Sequence, residues 1–309
     1  MKNRILLFDI ARSLCVIWIV AFWHMLDYFG KSKGYVDYGF VTIGVLSCFT
    51  FLSGLFVGKK KMTAIKFYKE RFKRFWLLLL ISALSFYVVG YIDNFPTFIG
   101  TITGLSCLGL PWARTLWYFS MLILFYLLTP LFFGVKKTIR KRVLLGLTIY
   151  VAFCGIAMLR NTPPYNDRVV MYFPYYLLGI VTPLHLAKKF KTLKVIIIMS
   201  LSVCVLWGLS FLIIPYSMGL KSIAVFLAVL TISSIIESLS IKFIDKIFLI
   251  IAYIGMCAYL FHRQVYGILT KLSNYLLGGL YLWEIPVMIF ILLFASYYIQ
   301  FLYDKLIKK

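Results

Sequence analysis

Ten runs of 17–24 mostly apolar residues, separated by short basic segments, dominate this chain of 309 residues. A bilayer hydrocarbon core about 30 Å thick is crossed by roughly 20 helical residues, so each run has the length of a membrane span. The spans fall at about 6–29, 36–57, 75–92, 115–134, 143–160, 169–187, 195–214, 220–236, 247–270 and 284–303. The eighth is the shortest and carries Lys221 at its start. With 62% hydrophobic and only 14% charged residues, the composition exceeds what a water-soluble core uses. The intervals between spans reach only about 22 residues, too few for an independent soluble fold. The expected architecture is therefore an all-α polytopic membrane protein, with residues 1–309 forming a single domain.

A net charge of +23 raises the question of nucleic acid. The Lys and Arg residues sit between apolar runs and accompany no groove-reading motif, which points away from it. With the N-terminus placed in the cytoplasm, 24 of the 33 basic residues lie on the inner side and 8 on the outer, with Arg12 inside the first span. That asymmetry fixes the orientation, with both termini cytoplasmic in a multi-pass cell-membrane protein in contact with membrane lipid. Lys2 and Arg4 precede the first run as in a signal peptide, but the run is too long, carries charges and lacks a small-residue cleavage site. It reads as a retained span. Of the six cysteines, five lie within apolar runs and Cys107 in a connecting segment, which predicts no disulfide framework. No CxxC or Cys/His cluster suggests a metal site. Trp112, Trp117, Tyr118, Tyr281 and Trp283 recur near span ends, where aromatic rings anchor at the interface.

Ionisable side chains within spans are costly and usually mark function. Asp9 and Arg12 are three apart on the first span and can pair, or snorkel to the cytoplasmic surface. His24 lies twelve positions beyond Arg12, about 18 Å along a helix, in the outer half of the membrane. Asp27, three further on, shares its face and could orient or charge-stabilise it. His262 reaches a similar outer depth on the ninth span, whereas His185 sits at the cytoplasmic end of the sixth and reads as interfacial. In KFYKERFKRFWLLLL (66–80), Arg71 and Arg74 stand with Lys73 where an inner loop feeds a helix. Arginines grip phosphates bidentately, so the pair suits a diphosphate, and equally suits topology charge against lipid headgroups.

Five stretches give these residues a common setting: FDIARSLCVIWIVAFWH (8–24), GVLSCFTFLSGLFVG (44–58), KERFKRFW (69–76), LWYFSMLILFYLLTPLF (116–132) and IAYIGMCAYLFH (251–262). In this order the chain resembles the membrane acyltransferase-3 family, which O-acetylates surface polysaccharides, and YFPYYLLGI (172–180) looks like its fucose-4-O-acetylase-like branch. The resemblance implies an acyl-CoA donor, acetyl-CoA in the usual case, entering from the cytoplasm as co-substrate, no permanently bound cofactor, and a sugar acceptor outside. It carries functional roles over to Arg12 and His24, and CoA contacts to Arg71 and Arg74. Trp117 and Tyr118 match an aromatic pair suited to stacking on a sugar. By position alone, Asp167 and Arg168 near the outer start of the sixth span are either acceptor contacts or solvated loop charges. Ser53 and Gly54 match the family's Ser-Gly turn, which reads as close helix packing more than chemistry.

One departure matters. The family pattern has ten residues between the Arg and the His, and here there are eleven. An offset of eleven places both side chains within about 20° on an α-helix, and an offset of twelve separates them by about 120°. Either a single π-turn absorbs the extra residue, or Arg12 and His24 face different cavities. His24 removes the acceptor's hydroxyl proton or is itself acylated, Asp27 or His262 tunes or relays, and Arg12, paired with the catalytic candidate Asp9, stabilises negative charge on the donor or maintains the inner part of the channel. The rival from another class is a transporter or flippase of a lipid-linked or charged glycan, which would call for paired discontinuous helices that the sequence lacks.

Overall fold

The computed structural model describes residues 5–26, 28, 38–58, 62–108, 110–113, 115–133, 138–160 and 165–307. Among these residues the chain is all-helical. Eight helices are long and apolar enough to cross a membrane, and two shorter apolar helices, Trp117–Phe132 and Arg168–Val181, complete the ten apolar segments of the sequence.

Helix α1 runs from Leu6 to Val16, passes through a π-helical stretch Ile17–Trp23, and resumes as His24–Leu26. Helix α2 is Gly39–Val57. Helix α3 starts as Ala64–Arg71 behind an N-cap in which Thr63 accepts from the Lys66 N–H, widens into a π-turn at Phe72–Trp76, and continues as Leu77–Val89. Helix α4, Phe95–Thr103, is capped by Asn94 with Pro96 in its first turn. Then follow α5 (Trp117–Leu128, extended by a 3₁₀ turn Thr129–Phe132), α6 (Ile139–Arg160), α7 (Tyr165–Val181), α8 (Leu193–Leu212), α9 (Ser217–Leu239), α10 (Lys242–Leu277) and α11 (Glu284–Ile307). At 36 residues, α10 is about 54 Å long, well beyond the hydrocarbon core. Its polar ends, Lys242 to Lys246 and Lys271 to Asn274, are what such an overhang requires.

The chain forms two compact units, residues 1–49 with 184–309, and residues 50–183. In the first unit α1 is the central element. Leu7, Phe8, Ile10, Ala11, Cys15 and Ile19 are all buried, and the helix packs against α9 and α10. Its contacts with α10 advance in step: the Ser13 hydroxyl donates to the Phe248 carbonyl, Val16 fills the space beside Gly255, and the Tyr28 hydroxyl donates to the Arg263 carbonyl. The two helices are thus parallel, as the first and ninth of alternating crossings must be. Helix α8 turns most of its surface outward, with Ile197, Leu201, Val205 and Phe211 exposed to what would be lipid.

In the second unit, α2 and α7 touch through their backbones. A Cβ at Gly54 would run into the carbonyl of Tyr176, and one at Gly179 into the carbonyl of Phe51. Small residues permit this approach where van der Waals packing holds helices together. Gly54 therefore serves close packing, and it does so inside α2 and not at a turn. A core of Phe125, Phe132, Phe173 and Tyr176 is buried, while α6 is almost wholly peripheral, with Val151, Met158 and Leu159 exposed.

Candidate active site

On α1, Asp9 is buried and lies 3.8 Å from the guanidinium of Arg12, which remains a third exposed. Between Arg12 and His24 lies the π-helical stretch, where the chain carries its extra residue. The backbone N–H of His24 donates to the carbonyl of Ile19, five residues back. A π-turn takes up one residue, so an offset of twelve acts as eleven and brings the two side chains within about 20° on the idealised helix. An α-helical His24 would instead have used the Val20 carbonyl. That carbonyl accepts the hydroxyl of Tyr266, from α10, at 3.2 Å. A backbone acceptor released inside a membrane segment must find another donor, and Tyr266 supplies it.

The π-turn delivers His24 onto His262. The two imidazoles stack with centroids 4.5 Å apart and planes 7° from parallel, both buried. Tyr259 approaches both rings edge-on, at 6.3 Å from His24 and 5.8 Å from His262, and Tyr266 approaches His262 at 6.1 Å. Nδ1 of His262 is 2.7 Å from the Tyr259 carbonyl, an oxygen that can only accept, so this nitrogen carries the hydrogen. Nε2 of His262 and Nδ1 of His24 are buried with no hydrogen-bond partner. Near this end of α1, the Arg263 guanidinium lies 5.8 Å over the ring of Tyr28. Asp27 lies outside the described residues.

Face-to-face stacking has a chemical consequence. Ring-nitrogen lone pairs lie in the ring planes, so two parallel rings cannot share an N–H···N hydrogen bond. Direct proton relay from one histidine to the other is closed in this arrangement, against the expectation that His262 could relay for His24. Nor does the stack chelate. Among the described residues no three His, Cys, Asp or Glu gather as a metal site requires. What remains is two imidazoles held side by side, each with a buried nitrogen available for chemistry.

The second unit holds the remaining predicted residues in two clusters. At the start of α3, Arg71 stacks against Tyr126 at 5.3 Å and Phe67 at 5.6 Å, and its Nε is buried without a hydrogen-bond partner. Lys73 and Arg74, on the π-turn, are exposed. The basic group thus comprises one arginine packed on aromatic faces and two exposed cations. Beside Tyr126, Tyr176 is fully buried with its hydroxyl 2.6 Å from that of Thr129.

The other cluster gathers at the N-terminal ends of α5 and α7. The Arg168 guanidinium lies 4.2 Å over Trp117 and 4.8 Å over Trp112, and Trp117 leans on Tyr172 at 5.9 Å. Thr115, two residues before Trp117, holds φ at +75°, a strained conformation for a β-branched residue. Tyr118 does not share the surface position expected of it. Its ring is buried, and its hydroxyl lies 3.2 Å from that of Thr50, so it braces α5 against α2. Trp112, read from sequence only as an anchor, shares the Arg168 guanidinium with Trp117.

Sequence reasoning missed Tyr259 and Tyr266, although the signal was present. They stand three before and four after His262, the helical spacing that puts side chains on one face.

Comparison with known proteins adds one result. A family model described as an acyltransferase domain, that of the acyltransferase-3 family, matches residues 5–301. No curated protein and no solved structure gives a match. The matched region takes in nearly the whole chain, including the histidine stack, the arginines of α3 and every apolar helix. The chain belongs to the acyltransferase-3 family and is a membrane acyltransferase.

Proposed function

We propose that the protein moves an acyl group, acetyl in the simplest case, from acyl-CoA on the cytoplasmic side of the cell membrane to a hydroxyl of an envelope sugar. One observation carries the reading: an acyltransferase domain in which a π-turn sets His24 against His262, each with a buried ring nitrogen lacking a hydrogen-bond partner. An imidazole nitrogen both attacks thioesters and accepts protons, and acyl transfer to a hydroxyl needs both acts.

In this reading the neutral ring of His24 attacks the thioester carbonyl. The C–N bond forms, the C–S bond breaks, and the ring's other N–H proton passes to the sulfur, releasing CoA as the free thiol. The acyl group then goes to the sugar. Arg12, held by Asp9, balances negative charge on the donor. Arg71, steadied on Tyr126, and the exposed Arg74 and Lys73 take the phosphates of CoA, since guanidinium groups match phosphate bidentately. Trp117 and Arg168, joined by Trp112, take the acceptor, with an indole face for the apolar side of a sugar ring and a cation for its oxygens. The FPYY stretch of α7 agrees with a deoxyhexose-acetylating branch.

The test uses purified protein and acetyl-labelled acetyl-CoA. The wild type is expected to release CoA and transfer label, and His24→Ala to lose both at unchanged membrane abundance. Full transfer by His24→Ala would end the assignment.

A further inference from the structure

We infer that the base for the acceptor's hydroxyl is His262, with His24 as the acyl carrier, so that the stack divides the reaction between two rings. This deepens the acyl-transfer reading and rests on it.

Three observations lead there. The hydrogen bond from Nδ1 of His262 to the Tyr259 carbonyl fixes the tautomer, because a carbonyl cannot donate. The neutral ring therefore keeps its lone pair on Nε2, and a backbone anchor of this kind holds a histidine ring in the orientation a base needs. Second, that Nε2 is fully buried and has no hydrogen-bond partner, an expensive state in a membrane segment unless function uses it. Third, the parallel planes, 7° apart, close off direct proton exchange between the rings, so His262 does not relay for His24, and a proton it takes comes from another group. Nδ1 of His24, by contrast, has no backbone anchor that would fix a hydrogen on it.

With the acyl group on His24 and the thiol gone, the sugar hydroxyl oxygen attacks the acyl carbon as Nε2 of His262 takes its proton. The C–O bond forms and the C–N bond breaks. The proton on His262 then leaves to solvent, and the released His24 nitrogen takes one up, restoring both neutral rings. Discharge of the acyl group is thus separable from loading it, and only discharge needs His262.

Two isosteric variants test this. His262→Asn keeps a donor where Nδ1 stood, and so can keep the bond to Tyr259, but has no proton acceptor at the Nε2 position. His262→Gln places an amide near Nε2 instead, and thermal stability in detergent reports the fold of each. The loading step is read as exchange of labelled CoA into acetyl-CoA with no sugar present, and discharge as acetyl label reaching the glycan of membranes from expressing cells. Wild type should do both. His262→Asn should keep exchange within about 2-fold and lose glycan labelling by about 10²–10⁴-fold, the usual loss for a missing base. His24→Asn should lose both. Glycan labelling near wild type in a stable His262→Asn or His262→Gln would overturn the inference, as would loss of exchange in both stable variants. Wild type that labels glycan without exchanging CoA would also overturn it. Wild type that does neither would instead overturn the acyl-CoA reading beneath it.

Discussion

Deleting Ala21 should leave the enzyme active, which is an unusual forecast for removing a residue from the middle of a membrane helix. The π-stretch Ile17–Trp23 holds one residue more than an α-helix would, and Ala21 is its smallest side chain and only partly buried. Without it the stretch can close as a plain α-helix, with the Arg12-to-His24 offset at eleven and the side chains about 20° apart. Were there no surplus residue to absorb, the deletion would turn everything on one side of it by about 100° and shift it about 1.5 Å. An imidazole some 5–6 Å from the helix axis would then travel about 8 Å, against a stack whose centroids are 4.5 Å apart. The cost of the benign outcome is small. His24 keeps the Ile19 carbonyl, now four residues back, while the Val20 carbonyl comes to lie four residues before Met25 and the Tyr266 hydroxyl loses its acceptor, a net change of about 1 kcal/mol. The assay is acetyl transfer from labelled acetyl-CoA, with detergent thermal stability alongside, for the deletion and for a matched insertion of alanine after Ala21. Activity within about 10-fold of wild type for the deletion, and loss comparable to His24→Ala for the insertion, is the expected pair. A deletion as inactive as His24→Ala, with the insertion tolerated, would refute the register argument.

Tyr266→Phe strips the Val20 carbonyl of its donor inside the bundle and should destabilise by about 1–3 kcal/mol in detergent melts, since a buried acceptor is left unmade. Arg71→Lys removes the planar stack on Tyr126 and should raise the KM for acyl-CoA, while Arg74→Lys, exposed and unstacked, should leave it nearly unchanged; steady-state kinetics on both decides. Gly179→Ala should cost about 1–3 kcal/mol or more, because the added methyl meets the backbone of α2 and no flexible side chain can yield. Trp112→Ala should weaken transfer to the sugar and spare acyl-CoA turnover, because it steadies Arg168.

The ten apolar segments were legible because hydropathy over some 20 residues needs no tertiary information. The surplus residue between Arg12 and His24 was legible as a count, and the alternative it posed, a π-turn or a divided site, is answered by the His24-to-Ile19 bond. The direction of Tyr118 was not legible. Helix α5 is apolar all round, so no polar stripe tells which side meets other helices, and only packing could turn that ring toward Thr50. The unequal standing of Arg71 and Arg74 was hidden for a related reason. Three positions apart implies a shared face on an α-helix, but here the π-turn Phe72–Trp76 begins directly after Arg71 and breaks that rule. Tyr259 and Tyr266 were overlooked because aromatic residues are abundant in this sequence, and spacing alone does not separate two that enclose a histidine from the many that face lipid.

The backbone contact at Gly54 and Gly179 bears on how the molecule can move. Where helices meet through side chains, rotamer changes allow one to slide or roll on the other. Here there is no side chain between them to rearrange, so α2 and α7 form a strut that can tilt only as one piece. Substrate entry that depends on opening must find its give elsewhere, along seams lined by side chains long enough to change places.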